Sequence, residues 1–399
     1  MPELVKLGDH VEILTGNPFK SAGYTHAGSG IRLLRGDNIA QGKIRWEDAK
    51  YWPAEDAETY ASYQLRVGDV IIAMDRPWIE AGLKCAELRD GDVPSLLVQR
   101  VACLRAKPTL DQRYLAYLVG SPSFTAHVLG VQTGTAVPHI SSKQIQDFEF
   151  AMLNIRDQQA IGEVQGALDD KIAVNEDISR TSRDLMKLKY AYAVLCGVKS
   201  TSIGGIADVF DGPHATPEKT KCGPWFLSIS SLKGGRLVLE ESAHLAEQDF
   251  KRWTRRVTPT DGDVLFSYET RLGEAALMPS GIRACLGRRM ALLRPRGVGP
   301  RTLLQAFLSP SFQETIRQYS VHGATVDRIP LSEFPSWQID LPTQEPQQLE
   351  YILRHLNELA ERRERESETL SEIRDTLLPK LMSGEIHVRD VEKVVGDVT

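Results

Sequence analysis

A chain of 399 residues with 42% hydrophobic and 25% charged side chains can hold two or three domains with proper cores, and its make-up is that of an ordinary globular protein. A formal net charge of −5 gives no support to nucleic-acid binding by the chain as a whole, although such a sum can hide a basic face. No run approaches the length of a membrane span, and Met1-Pro2-Glu3-Leu4-Val5-Lys6 lacks the basic-then-apolar order of a signal peptide. Five scattered cysteines (Cys85, Cys103, Cys196, Cys222, Cys285) include no C-x-x-C pair, which predicts a reduced, cytoplasmic protein with its thiols buried as small apolar residues.

Residues 1–153 read as short β-rich segments separated by turns. Gly68-Asp69-Val70-Ile71-Ile72 is a strand entered through a Gly-Asp turn, and Phe148-Glu149-Phe150 alternates as strands do. From Gln165 to Leu195 only Gly166 interrupts a stretch free of glycine and proline, so a helix far longer than average is predicted. The plan then restarts. Gly262-Asp263-Val264-Leu265-Phe266 is again a strand after Gly-Asp, Trp337-Gln338-Ile339 alternates, and Gln347 to Leu378 contains neither glycine nor proline.

The second half repeats the first. Ser121-Pro122-Ser123-Phe124 recurs as Ser309-Pro310-Ser311-Phe312. Gln99-Arg100-Val101-Ala102-Cys103-Leu104-Arg105 answers Arg288-Arg289-Met290-Ala291-Leu292-Leu293-Arg294, and Gly42-Lys43-Ile44 answers Gly235-Arg236-Leu237. Matches keep their order while the offset drifts only from 196 (Gly16 to Gly212) to 188 (Ser121 to Ser309). Chance does not do that: the chain is a tandem duplication.

Spacing suggests what the long helices are for. Ile352, Leu356, Leu359, Arg363, Glu366, Leu370, Ile373 and Leu377 alternate by four and three, as do Ile161, Val164, Leu168, Lys171, Asn175, Ile178, Ser182, Leu185, Lys189 and Tyr192. Each is a heptad seam, apolar at its ends and polar in the middle, on a helix of roughly 45–60 Å. An antiparallel coiled coil would relate the halves by pseudo-twofold symmetry, with Arg363 and Glu366 near Lys171 and Asn175 fixing register. The alternative is that each helix packs only on its own β-rich domain. Two similar domains held apart in this way suit a partner with two sites at a fixed spacing, of which DNA is the obvious one.

The sequence resembles the specificity (S) subunits of type I restriction–modification systems. The residues that carry this are Ile31–Ile39 (IRLLRGDNI), Gly68–Met74 (GDVIIAM), Gln99–Ala106 (QRVACLRA), Gly134–Ser141 (GTAVPHIS), Leu168–Asn175 (LDDKIAVN) and, most specifically, Ile373–Ile386 (IRDTLLPKLMSGEI). The second half departs from the pattern, because Gly323–Ile329 lacks the pair that Pro138-His139 supplies in the first. The resemblance implies an α+β protein with two target-recognition domains, 1–153 and 199–343, spacer helices 154–198 and 344–387, and a tail 388–399. It also implies a chain without catalysis of its own, bound by two modification subunits that carry S-adenosylmethionine and methylate adenine N6, and by motor-nuclease restriction subunits.

The residues themselves point away from catalysis. Gly16-Asn17-Pro18-Phe19 lacks one proline of the base-holding motif of amino-methyltransferases and has no glycine-rich cofactor loop upstream, so it reads as a turn. No phosphate loop, H-E-x-x-H or G-x-S-x-G occurs, and no histidines stand at metal-ligand spacing; no cofactor or metal is expected on this chain. An enzyme in its own right would need a further domain, and a protein-only scaffold is the other reading.

DNA contact calls for lysine, arginine and small hydroxyls on loops that leave the β-rich core. In the first half the candidates are Lys20, Arg35, Asn38, Lys43, Arg45, Arg76, Lys84, Thr133, Thr135 and His139; in the second, Lys219, Lys221, Lys233, Arg236, Arg252, Arg255, Arg271, His322 and Thr325. Arg35, Asn38, Arg76 and Arg271 have forked groups suited to base edges, whereas Arg252 and Arg255 suit phosphates. His214 reads as a surface residue. A modification subunit is expected near the coiled coil, at Arg362, Arg365, Lys380 and Leu381, although for the apolar Leu381 and Met382 packing against the neighbouring domain is the favoured reading. The loops of the halves differ, so the two half-targets should differ.

Overall fold

The two Gly-Asp turns do more than punctuate the chain. Asp69 accepts the Arg66 backbone N–H at 2.9 Å and pairs with Arg105 at 2.7 Å; Asp263 accepts the Thr260 N–H at 2.8 Å and pairs with Arg294 at 2.7 Å. Both carboxylates are buried, so each needs this full set of donors to be tolerated. The computed structural model of the protein describes residues 3–134, 137–321 and 327–386. They form two units, one of the described residues up to 173 together with 367–386 and the other of those between 174 and 366.

In the first unit the strands β1 (Val11–Thr15), β2 (Val70–Ala73), β3 (Cys85–Glu87) and β4 (Val101–Ala106) make an antiparallel sheet in the order β1-β4-β2-β3. Helices α1 (Gln112–Gly120) and α2 (Pro122–Val131) cover one face, where Val70, Ile72, Ala102 and Leu104 meet Leu115, Leu118 and Phe124. Ile71, Ala73, Val101 and Cys103 point the other way, onto Leu34, Ile39, Leu88 and Leu97. Both faces are dry, which is why these strands read as unbroken apolar runs rather than alternating ones. A second, three-stranded sheet joins Lys50–Pro53, Gly30–Leu34 and Ser95–Leu97. The helix α3 (Ile155–Cys196) begins in this unit.

The second unit repeats the plan. Strands β5 (Ala207–Asp211), β6 (Val264–Ser267), β7 (Ala275–Leu277) and β8 (Met290–Pro295) run in the order β5-β8-β6-β7, backed by α4 (Pro300–Leu308) and α5 (Pro310–Tyr319). The recurring Ser-Pro-Ser-Phe now has a physical role. Ser121 and Ser309 are N-caps that accept the N–H of Phe124 at 3.2 Å and of Phe312 at 3.3 Å, the prolines take the first helical position, and both phenylalanines are buried. The description of each half as β-rich up to its long helix therefore missed two helices per half.

The helix α6 (Pro346–Met382) pairs with α3 within each unit. In the first, Ile161 and Val164 share a core with Leu377, Leu378 and Leu381, and Asp169 meets Arg374 at 2.8 Å. In the second, Met186 and Tyr190 pack with Leu349 and Leu353, and Glu364 accepts from Ser179 and from Arg183 at 3.0 Å. Numbers rise along one helix as they fall along the other, so both pairings are antiparallel. Each helix also packs on both domains in turn: α3 gives Ile161 to the first domain's core and Met186 and Tyr190 to the second's, while α6 gives Leu349 and Leu353 to the second and Leu381 to the first, so the alternative of packing only on its own domain does not hold. Ile161, Asn175 and Ser182 of the heptad reading are buried, but beyond Ser182 the seam shifts. Met186, Tyr190, Leu349, Leu353, Asn357 and Ala360 are buried, while Leu185, Lys189, Tyr192 and Ile373 are exposed. Leu381 is buried in the first unit's core, as the favoured reading had it, and so does not belong to a partner surface. Cys196 and Cys222 are exposed, contrary to the expectation of buried thiols; burial pushes Cys85 and Cys285 up to about 12. No helix among the described residues is long and apolar enough to cross a membrane.

Candidate nucleic-acid interface

In each unit the strand after the Gly-Asp turn ends in a strained corner. The backbone of Arg76 is left-handed (φ 44°), as is that of Arg100 (φ 65°), the residue that leads into β4. Thr270 (φ 68°) and Arg289 (φ 70°) hold the same places in the second unit. These are four of the five non-glycine residues with such a backbone among the described residues. A bulky residue held there is costly, and such strain collects at functional sites. The corner is locked by an ion pair, Arg100 with Asp75 at 3.3 Å and Arg289 with Glu269 at 2.8 Å.

A second segment returns to this corner from beyond the short helices. Thr133 and His139 exchange backbone hydrogen bonds at 2.9 and 2.8 Å, their side chains meet at 3.0 Å, and the Arg76 N–H donates to Pro138 O at 2.7 Å. In the second unit Val321 and Arg328 exchange bonds at 2.9 and 3.1 Å, and Ile329 N–H reaches Tyr268 O as Ile140 N–H reaches Met74 O. Arg328 thus occupies the place of His139, which answers what stands where the second half lacks Pro-His.

The third wall is the turn after the three-stranded sheet. Asn38 is 3% exposed and spends its amide on this turn, accepting the Arg35 N–H at 3.1 Å and donating to Arg45 O at 2.9 Å. It shapes the loop and presents nothing outward. Arg35 is half-buried with an enclosed Nε, while Lys43 and Arg45 are exposed. Lys84, immediately before β3, is 8% exposed, and burial lowers its pKa in a setting shared with Asp37, Arg76, Arg45 and Asp75. Of the first-half candidates the structure therefore brings together Arg45, Arg76, Lys84, Thr133 and His139. Lys20, exposed, opens the turn Ser21–Gly23 and is not part of this group; Thr135 lies outside the described residues.

In the second unit several candidates are already occupied. Lys233 pairs with Glu241 at 2.7 Å, and Arg236 with Glu364 at 3.3 Å. Arg271 donates to Ser230 O at 3.2 Å and meets Glu274 at 3.5 Å. Lys219 and Lys221 are exposed on the strand Lys219–Phe226. Arg252 and Arg255 line a cleft of about 470 Å³ with Asp211, His214, Trp253 and Arg256, where His214 pairs with Asp211 at 2.9 Å. In the first unit, which has the matching Gly16, Phe19, Trp52 and Tyr60 pack together with ring centroids 4.8–5.7 Å apart. His322 and Thr325 lie outside the described residues. Sequence reasoning missed Asp75, Arg100, Glu269 and Arg289, although the matched segments Gln99–Arg105 and Arg288–Arg294 contained half of the signal. Among the described residues no cluster of three His, Cys, Asp or Glu could hold a metal ion.

The structure is thus a duplicated α+β protein, each unit carrying a polar, strained corner and closing on an antiparallel pair of long-helix ends. That fold is also found in the S subunit of a type I restriction–modification system from M. genitalium, with a TM-score of 0.63 and 14% identity over 95% of each chain. In sequence the chain is 29% identical over 191 residues to the type I restriction enzyme MjaVIII specificity subunit of Methanocaldococcus jannaschii, covering 47% of this chain and 44% of that protein. It is 35% identical over 160 residues to the EcoAI specificity subunit of Escherichia coli, covering 40% of this chain and 27% of that one. The matches span less than half the length of these curated relatives. No family model matches the sequence. The resemblance to type I specificity subunits read from the motifs thus recurs in curated sequences and in a solved fold.

Proposed function

We propose that the chain is a DNA-recognition subunit that reads a split, asymmetric target and has no catalytic step of its own. The observation that carries this is the duplicated corner with different side chains: Arg76, Lys84 and His139 in the first unit, Thr270, Glu274 and Arg328 in the second. A shared frame with two sets of hydrogen-bonding groups is what reading two different half-sites requires. Similarity to the specificity subunits supports the same reading. The recognition domains are residues 1–153 and 199–343, the helical segments 154–198 and 344–387 join them to the rest of the assembly, and 388–399 is a tail. DNA binding falls to Lys20, Arg35, Lys43, Arg45, Arg76, Lys84, Thr133, Thr135 and His139 in the first and to Lys219, Lys221, Arg252, Arg255, Arg271, His322 and Thr325 in the second, with Asn38, Lys233 and Arg236 holding loops.

In this reading two modification subunits carrying S-adenosylmethionine dock on the helical segments, with exposed Arg362 within reach, and methylate adenine N6 in each half-site. Restriction subunits then complete a cytoplasmic complex. Single-molecule sequencing of host DNA, with the gene present and then deleted, tests this. A split motif with N6-methyladenine in both halves, lost on deletion, is the expected result. An unchanged map with the partner genes expressed, and no DNA binding by the purified complex, would leave a protein scaffold instead.

A further inference from the structure

The two units carry opposite charges at one matched position. Ala73 N–H donates to Lys84 O at 3.0 Å, and Ser267 N–H donates to Glu274 O at 3.1 Å, so Lys84 and Glu274 occupy the same place at the edge of the same sheet. Glu274 is satisfied within its unit: it accepts the Gly234 N–H at 2.8 Å and meets Arg271 at 3.5 Å. Lys84 is not. Among the described residues its ammonium has no hydrogen-bond partner and no ion pair, although the residue is 8% exposed.

An ammonium carries three donors and no acceptor; that of Lys84 sits at the end of a mostly buried residue, with solvent still reaching the nitrogen. Its pKa is lowered, first by burial and then by Arg76 and Arg45, although Asp37 and Asp75 pull the other way. The space beside it is open on one side: a Cβ added at Gly36 would meet only Ala73 Cβ at 3.9 Å and Lys84 Nζ at 4.0 Å. The strained Arg76 and the Asp75–Arg100 pair fix the adjoining corner. Lys84 thus stands pre-positioned between the short strand Gly82–Leu83 and β3, its carbonyl held by the Ala73 N–H and its ammonium without a protein hydrogen bond.

We infer that the Lys84 ammonium donates to an acceptor atom of the DNA half-site read by the first unit, and that Glu274 makes this contact impossible in the second. The inference rests on the DNA-recognition reading above. The acceptor is an electron-rich oxygen or nitrogen, either on a base edge such as guanine O6 or N7, or on a phosphate.

The test is the methylation map of cells carrying the whole system with Lys84→Met, beside the wild type and Arg271→Ala, which marks the half-motif of the second unit. A base-edge contact relaxes one base pair of the other half-motif by roughly 5- to 140-fold, which is ~1–3 kcal/mol at tenfold per 1.4 kcal/mol. A phosphate contact leaves the consensus intact, lowers methylation at all sites alike, and reduces the salt slope of duplex binding by the purified complex by about 1. Consensus, occupancy and salt slope all unchanged would overturn the inference, as would a change confined to the half-motif marked by Arg271→Ala. A wild type without any split motif would instead bring down the DNA reading, and this inference with it. Should Lys84→Met lose its thermal transition, Lys84→Gln, which keeps a neutral donor, is scored by the same outcomes.

Discussion

The two units share a frame and differ in what they hang on it. Both bury an Asp–Arg pair at the Gly-Asp turn, both start a helix with Ser-Pro-Ser-Phe, and both lock a left-handed residue with an acid–arginine pair. Around that frame the first unit presents Arg76, His139 and an unpartnered Lys84, whereas the second presents Thr270 and Arg328 and ties Glu274 to its own backbone. Beside the matching glycines, Gly16 and Gly212, one unit packs three aromatic rings and the other opens an arginine-lined cleft. Groups that hold the sheet together are repeated; groups that face outward at its edge are not. A duplicated protein whose halves met different ligands would diverge in this way, because the core has one solution and two ligand surfaces need two.

The largest effect that could break this comparison lies in the cores. Phe124→Ala and Phe312→Ala each remove a ring buried against the sheet, and each should cost about 3–5 kcal/mol in denaturant unfolding. Costs that differ by more than a factor of two would mean that the frames are not equivalent. Next come the outward groups. Arg252→Ala should weaken binding to every duplex alike and flatten its salt dependence, whereas Arg76→Ala should weaken discrimination at one base pair by ~1–3 kcal/mol, both measured by titration with matched and single-substituted duplexes. If both variants behave alike, cleft and corner do not divide the work between phosphate and base.

Smaller effects sharpen the picture. Ser121→Ala and Ser309→Ala remove matched N-caps, and each should lower stability by about 1 kcal/mol in thermal unfolding. Smallest is Glu87, whose carboxyl is raised by burial, while its partner position across the repeat, Leu277, is apolar. A raised folded-state pKa penalises the charged form: the penalty is absent below the ordinary carboxylate range, grows as pH rises through it and is complete above the folded-state pKa. Glu87→Gln should therefore leave the melting temperature unchanged near pH 3 and raise it slightly at pH 8. A melting temperature that falls at pH 8 would show that ionised Glu87 is stabilised, by Arg113 or Arg89, more than burial costs it.

Much of this was legible in the amino-acid order. The duplication, the two long helices, the Gly-Asp strands and the Ser-Pro-Ser-Phe caps all follow from local chemistry that repeats. A cap needs a hydroxyl at one position, and a strand dry on both faces needs consecutive apolar residues. The motifs also carried the resemblance to specificity subunits. Other features depended on neighbours far along the chain. The helix seam runs through Met186 and Tyr190 rather than Leu185 and Tyr192, because this end of the first long helix answers to the second domain's core as well as to its partner helix. Asn38 has the side chain of a base reader, yet its amide is consumed by a turn formed with Arg45. Lys233 and Arg236 look free in sequence and meet Glu241 and Glu364 in space. Whether a charge is available is set by what stands opposite it, and only tertiary packing brings residues such as Lys84, Arg45 and Asp75 to one corner. Local propensity wrote the elements and their repetition, and long-range packing decided which polar groups were left over to bind.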